Sequence, residues 1–404
     1  MNIWIIDHYS VPPKYYPLAR QTIFARKLGA KGHNVTIFCA SSVHNSDKNL
    51  SDGTILYREE ITEGVKYVYV SCRSYKGNGR ARIFNMLEFA RKLPKVTAKY
   101  DKPDAVLACS MTLQACRQGI KLAKKYGAKA VAQITDLWPE TLVAYGIAGM
   151  NNPAVLYLRR IEKWIYTHAD SIIFSMEGAY DYIREQHWEK AVPEKKVYFI
   201  NNGVDLEAFD YNKAHYKIDD DDLRNPNIIK IVYVGSIRRV NNLGALLDTA
   251  KEIADNKVRF LIWGDGEERE MLEERCRNEG IDNVIFKGRV DKKYVAYITC
   301  RADINLLHND NSPILRFGIS MNKLFDYLAA GKPIFCDFES SYNPAIMKNA
   351  GIEVNSSAPE VRAQCICKML ELDLQSLGLN AREAAENIYN FDVLTSKLER
   401  VLVE

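Results

Sequence analysis

No segment of the 404-residue chain approaches the roughly twenty consecutive apolar residues that span a bilayer, so any membrane contact is expected to be peripheral. A secretory start is missing too. Met1 to Ile6 is apolar but too short for a signal peptide and lacks a basic beginning and a small-residue cleavage site, so it reads as a first strand. Metal-ligand cysteine spacings are absent: of nine cysteines only Cys365 and Cys367 are close, and they fall in a helical pattern. That usage suits a reducing cytoplasm, with no metal and no cofactor expected. Charge of one sign is also lacking. A formal net charge of +4 does not mark a nucleic-acid binder, although a local basic patch is compatible with it.

What the chain does have is alternation. Strand-like runs (Ile3 to Asp7, Val35 to Cys39, Val65 to Val70, Asp104 to Ser110, Ala130 to Thr135, Ala169 to Ser175) are separated by helical patterns, the longest from about Arg82 to Tyr100. Such alternation predicts a parallel sheet flanked by helices. The rhythm fails between Leu206 and Asn227, where Asp219 to Asp222 and Asn225-Pro226 suggest an exposed linker, and a second series then begins. The length also favours two cores. The expected organisation is a first domain over 1–205, a linker over 206–227, a second domain over 228–386 and a closing helical segment over 387–404.

Ligands of doubly wound sheets bind beyond the carboxyl ends of the strands, which directs attention to the loops there. In the first half, Tyr9 to Arg20 contains three prolines and offers Lys14 and Arg20, and His8 follows the first strand. Asp136-Leu-Trp138-Pro139-Glu140 places two carboxylates and an indole after a buried strand; the other reading has Asp136 or Glu140 capping the next helix and Trp138 filling a gap. Residues 73–102 hold Arg73, Lys76, Arg80, Arg82, Arg91, Lys92, Lys95, Lys99 and Lys102 among Tyr75, Phe84, Met86, Leu87, Phe89 and Leu93. This is the composition of a basic amphipathic element for an anionic membrane surface, with a solvated helix face as the other reading.

In the second half, four strands run in turn into Gly235-Ser236-Ile237-Arg238-Arg239, Gly264-Asp265-Gly266, Gly288-Arg289-Val290 and His308 to Arg316. Glycines let backbone N–H groups approach a phosphate and arginines neutralise it, so four such loops in phase point to one anionic ligand. Met321 to Pro333 then combines an apolar stripe (Leu324, Tyr327, Leu328) with Lys323 and Asp326 three residues apart, ending at Gly331-Lys332-Pro333. Alone it reads as an ordinary amphipathic helix with a solvated ion pair.

These residues in this order resemble the retaining glycosyltransferases of family 4: Gly32-His33-x-Val35-Thr36, Asn202-Gly203-Val204-Asp205, Val234-Gly235, Gly264-Asp265-Gly266, Ala302-Asp303-Ile304 and Lys323-x-Phe325-Asp326-Tyr327-x-Ala329-Ala330-Gly331-Lys332-Pro333. The Asp136 to Glu140 segment is similar to the branch that moves N-acetylated amino sugars in bacterial capsule and O-antigen assembly. The resemblance implies a GT-B fold, an α/β architecture of two Rossmann-like doubly wound parallel-sheet domains facing a central cleft, with a last helix that returns to the first domain. It implies a UDP-sugar donor and, for this branch, a polyprenyl-diphosphate-linked saccharide acceptor, used in the cytoplasm at the inner face of the cell membrane.

The same resemblance distributes roles. Asp326 stands where the family's carboxylate binds ribose, while the family's preceding acid falls on Gly318. Family members carry Arg and Lys where this chain has Ser236 and Asn241, which makes Arg239 and Lys323 the candidate cations for the leaving diphosphate and Arg238 a substitute. Gly235, Ser236, Gly264, Asp265 and Gly266 line the donor, Arg289 and Val290 meet the base, and Asp136 stands near the reacting sugar. His8, Lys14, Arg20, Trp138 and Glu140 fall on the acceptor side. A nucleotide-sugar epimerase and a non-catalytic sugar-binding protein share the alternation, but neither releases UDP on adding an acceptor.

Overall fold

Short apolar strands buried on both faces need helices on each side, and the connections between them supply these. The computed structural model describes residues 1–15, 20–44, 46–110 and 112–404; Pro17, one of the three prolines between Tyr9 and Arg20, lies outside them. Contacts divide the chain into two units, Met1–Asn201 with Phe391–Glu404, and Asn202–Asn390.

The first unit holds β1 (Asn2–Ile6), β2 (Asn34–Ala40), β3 (Tyr57–Thr62), β4 (Val65–Val70), β5 (Ala105–Cys109), β6 (Lys129–Ile134), β7 (Ser171–Phe174) and β8 (Val197–Phe199). They form one sheet in the order β3-β4-β2-β1-β5-β6-β7-β8. β1 is central, with Ile3 and Ile5 on one face and Trp4 on the other, edge-on to Phe38 at 5.2 Å. All pairings are parallel except β3 with β4, which the sequence reading missed. β3 is an edge strand whose Arg58 and Glu59 are solvent-exposed, so it carries no apolar alternation to detect.

Helix Phe391–Val403 completes this unit. Phe391, Leu394, Leu398, Val401 and Leu402 join the core containing Phe24 and Leu28. Lys27 reaches Asp392 at 2.6 Å, and Lys31 and His33 reach Glu399 at 2.6 and 2.8 Å.

The second unit holds β9 (Ile229–Val234), β10 (Val258–Trp263), β11 (Val284–Gly288), β12 (Ile304–Leu307), β13 (Ile334–Cys336) and β14 (Gly351–Glu353), all parallel, in the order β11-β10-β9-β12-β13-β14. This is the doubly wound order whose direction reverses between β9 and β12. The stretch expected to be a linker is instead part of this unit. Residues 206–227 contain helices Leu206–His215 and Asp221–Arg224, and Leu206, Phe209 and Leu223 are buried among its core side chains. Three apolar anchors hold the segment down despite its polar average.

Candidate functional site

In the second unit, the loops after β9 and β10 touch backbone to backbone. A Cβ on Gly264 (φ +155) would fall 1.8 Å from the Gly235 carbonyl, and one on Gly266 2.0 Å from the Ile237 carbonyl. No side chain fits at either position. The contact is sealed by hydrogen bonds from Gly235 N to Trp263 O (3.0 Å), Ile237 N to Asp265 O (2.9 Å) and Gly264 N to Gly288 O (2.9 Å). Ser236 Oγ donates to Asn241 Oδ1 at 2.9 Å, and the Asp265 carboxylate accepts the N–H of Gly266 at 3.0 Å. Arg238, Arg239 and Arg289 are exposed on this rim and form no ion pair with a described residue. Val290 is partly buried against the core around Trp263.

Helix Asn322–Ala330 buries Leu324, Phe325, Tyr327 and Leu328, and Gly331 (φ +65) ends it, as its sequence predicts. Its two charged residues do not pair with each other. Lys323 Nζ donates to the His308 carbonyl at 2.7 Å and lies 4.5 Å from the centre of the Tyr233 ring. Asp326 is held by Lys292. Loss of hydration lowers the Lys323 pKa to about 8, partly opposed by Asp337, so its ammonium titrates near neutrality.

Beneath Lys323 lies a buried pair that the sequence did not reveal. His308 Nδ1 is 2.5 Å from Asp337 Oδ2, and His308 Nε2 is 3.0 Å from the carbonyl of Asn242, a residue in left-handed conformation at φ 50°. This links the ends of β12 and β13 to the β9 loop. The positions of His308 and Asp337, each just past a buried strand, were the only available signal.

The first unit gathers unsatisfied polar groups at the carboxyl ends of β1, β5 and β6. Side-chain atoms of His8, Ser110, Thr112, Gln133 and Thr135 are buried without a hydrogen-bond partner among the described residues. Buried polar groups are ordinarily paired, so such a concentration marks a place for a polar ligand or water. His8 packs edge-on to Phe89 at 5.1 Å, and burial pushes its pKa down to about 3, partly opposed by the nearby Asn85 amide. Its imidazole is therefore neutral. Asp136 presents accessible surface, yet crowding strips its hydration and raises its pKa, and no described residue pairs with its carboxyl group. Trp138 is half-buried and precedes a cis peptide bond to Pro139.

Three residues expected on the acceptor side have partners within the first unit. Lys14 pairs with Glu60 on β3. Arg20 donates to the carbonyls of Ile200 and Asn201, both at 2.7 Å, and lies over Phe24. Glu140 accepts from Arg159 Nη2 at 2.7 Å, within a network that includes Tyr182 and the buried Glu162. Among the described residues no group of three or more His, Cys, Asp or Glu side chains is arranged to hold a metal ion.

A model of the family described as Glycosyltransferase Family 4 matches residues 22–208, and one described as Glycosyl transferases group 1 matches residues 229–372. The chain belongs to glycosyltransferase family 4. This membership decides against the epimerase and the non-catalytic binding protein. The enzyme is 23% identical over 317 residues to "Probable glycosyltransferase WbjE" of Pseudomonas aeruginosa, covering 77% of this chain and 76% of that one. It is 26% identical over 208 residues to the amylovoran biosynthesis glycosyltransferase AmsD of Erwinia amylovora, covering 52% and 51%.

Its fold is GT-B. Sucrose-phosphate synthase from Thermosynechococcus elongatus superposes with a TM-score of 0.72 at 18% identity, covering 99% of this chain and 98% of that one. HepE of Anabaena, solved with UDP, superposes with a TM-score of 0.65 at 14% identity, each chain covered in full at 100%.

Proposed function

We propose that the enzyme transfers a sugar, an N-acetylated hexosamine or deoxyhexosamine, from UDP to a polyprenyl-diphosphate-linked saccharide in the assembly of a bacterial surface polysaccharide. The reading rests chiefly on the exposed, unpaired Arg238 and Arg239 and the partly dehydrated Lys323, brought to the strand-end rim of one sheet around its switch point. Such cations favour a diphosphate as a ligand and, more strongly, as a leaving group. HepE binds UDP, and AmsD is named for amylovoran biosynthesis; both lend support by likeness.

In the proposed step, the bond between sugar C1 and the diphosphate oxygen breaks with its electron pair leaving on the phosphate. Arg239 and Lys323 stabilise the charge that builds there, without a metal ion. The acceptor hydroxyl bonds to C1 on the same face and gives its proton to the departing oxygen, so configuration is retained. Asp136, at the rim of unsatisfied polar groups, steadies positive charge at C1 or orients the acceptor. Ser236, Asp265, Arg289 and Val290 border the nucleotide. The acceptor's lipid places the work at the cytoplasmic face of the membrane.

The test is a thermal-shift panel of UDP- and GDP-sugars, since a bound donor raises apparent stability, followed by UDP release with and without a lipid-linked acceptor. Stabilisation by GDP-sugars alone would refute the UDP assignment.

A further inference from the structure

Helix Arg80–Thr97 is apolar on two sides. Its inner side buries Phe89, Ala90, Leu93 and Val96, as any helix on a sheet does. Its outer side exposes Ile83 (55%), Phe84 (53%) and Leu87 (42%), with the Arg73 guanidinium 5.6 Å from the centre of the Phe84 ring. At about 100° per residue, Arg80, Ile83, Phe84, Leu87, Arg91 and Lys95 fall within an arc of roughly 120°. The apolar residues lie between cations at both ends of one stripe.

The structure also sorts the basic residues of 73–102. Arg73 and Lys92 are tied to Glu88, Lys76 to Asp47, and Arg82 to Asn78 and to the Tyr9 hydroxyl at 2.8 and 2.9 Å. Arg80, Arg91 and Lys95 are exposed and have no ion-pair partner among the described residues. Glu88 is the one acidic residue of the helix and is used up by Arg73 and Lys92.

The stripe lies at a particular end of the unit. Helices that follow parallel strands begin at the strand-end rim, so Ile83, Phe84 and Leu87, in the first turns, stand near the rim bearing His8, and Arg82 ties that turn to Tyr9. Helix Leu113–Tyr126 packs between this helix and Pro153–His168. At the start of the latter a second exposed apolar group appears: Ile147 (70%), Met150 (64%) and Tyr157 (54%). Two sets of exposed apolar side chains thus mark the same end of one helical layer.

We infer that the outer stripe of helix Arg80–Thr97 docks on an anionic lipid surface, with Ile83, Phe84 and Leu87 entering the headgroup boundary and Arg80, Arg91 and Lys95 contacting lipid phosphates. Charge complementarity selects this occupant: a protein groove would cover the apolar residues but gives no reason for unpaired cations flanking them. The inference deepens the membrane part of the proposed function, and its readout needs neither donor nor acceptor.

The full chain is sedimented with vesicles of phosphatidylcholine alone and with about one-third phosphatidylglycerol. Binding to the mixed vesicles only, weakened by salt, is expected. Replacing Arg80, Arg91 and Lys95 by Gln should weaken it roughly fivefold per charge, and a triple Ser variant at Ile83, Phe84 and Leu87 should abolish it. Control substitutions of the exposed Lys190 and Lys195 should change nothing, and unaltered melting curves check that each variant folds. Failure of the parent chain to bind, or equal binding by the variants, overturns the inference. So does dimerisation through the stripe without vesicle binding. Transfer to a water-soluble acceptor analogue by the Ser variant tests the proposed reaction separately, because a vesicle result leaves it untouched.

Discussion

The imidazole of His308 is buried between two acceptors, the Asp337 carboxylate at 2.5 Å and the Asn242 carbonyl at 3.0 Å. A carbonyl only accepts, so Nε2 donates to Asn242 while Nδ1 shares a hydrogen bond with the carboxyl group. The position of the pair makes it the support of the β9 loop and, through the His308 carbonyl, of Lys323.

Asp337→Ala should therefore cost about 3–5 kcal/mol, because it strands a buried partner, while Asp337→Asn should cost about 1–3 kcal/mol. Urea unfolding measures both. The Asn variant should also show a raised KM for the donor.

Lys323 gives a pH signature. Its folded pKa of about 8 lies below the ordinary value of 10.5, so between those values the unfolded chain binds more protons and stability rises with pH. Activity should move the opposite way, falling above pH 8 as the cation is lost. Lys323→Arg keeps its charge and should hold its rate to higher pH; an identical alkaline limb would remove Lys323 from the diphosphate role.

Arg239→Ala should reduce kcat about 10²–10³-fold, the usual cost of losing one group that stabilises a developing anion. Exposed and without an ion pair among the described residues, Arg239 should leave stability within about 0.5 kcal/mol. Rate assays beside melting curves separate these effects.

Asp326→Ala should weaken UDP binding about tenfold to a hundredfold by calorimetry, as expected for a lost charged hydrogen bond. Lys292→Met removes the ion pair but keeps the carboxylate. Equal losses in the two variants would assign Asp326 to that pair rather than to ribose.

Gly264→Ala forces a methyl group into the Gly235 carbonyl and should cost about 3 kcal/mol or more, with UDP binding lost. Circular dichroism on heating reports the first effect. A fully stable variant would mean that the two loops can separate without penalty.

The alternation of apolar runs and the glycine stop at Gly331 were readable because they are local: a few neighbouring residues set them. β3 was not, since its exposed edge carries Arg58 and Glu59 in place of an apolar pattern. The same limit applies to the charged groups. Glu140 finds Arg159 across 19 residues, His308 finds Asp337 across 29 and Asp326 finds Lys292 across 34, and no spacing rule foretells such partners. Residue type located the strand-end loops; only packing revealed which charges in them were already spent on the scaffold.

Helix Phe391–Val403 gives the chain an order of assembly. The second unit is one uninterrupted stretch, Asn202–Asn390, whereas the first needs residues from both sides of it. During synthesis the first unit lacks this helix until the second has been made, so the part of its core where Phe391 meets Phe24 at 5.3 Å closes last. A nascent chain stalled before Phe391 would therefore hold every residue of the second unit and leave the first without the apolar side chains of its last helix.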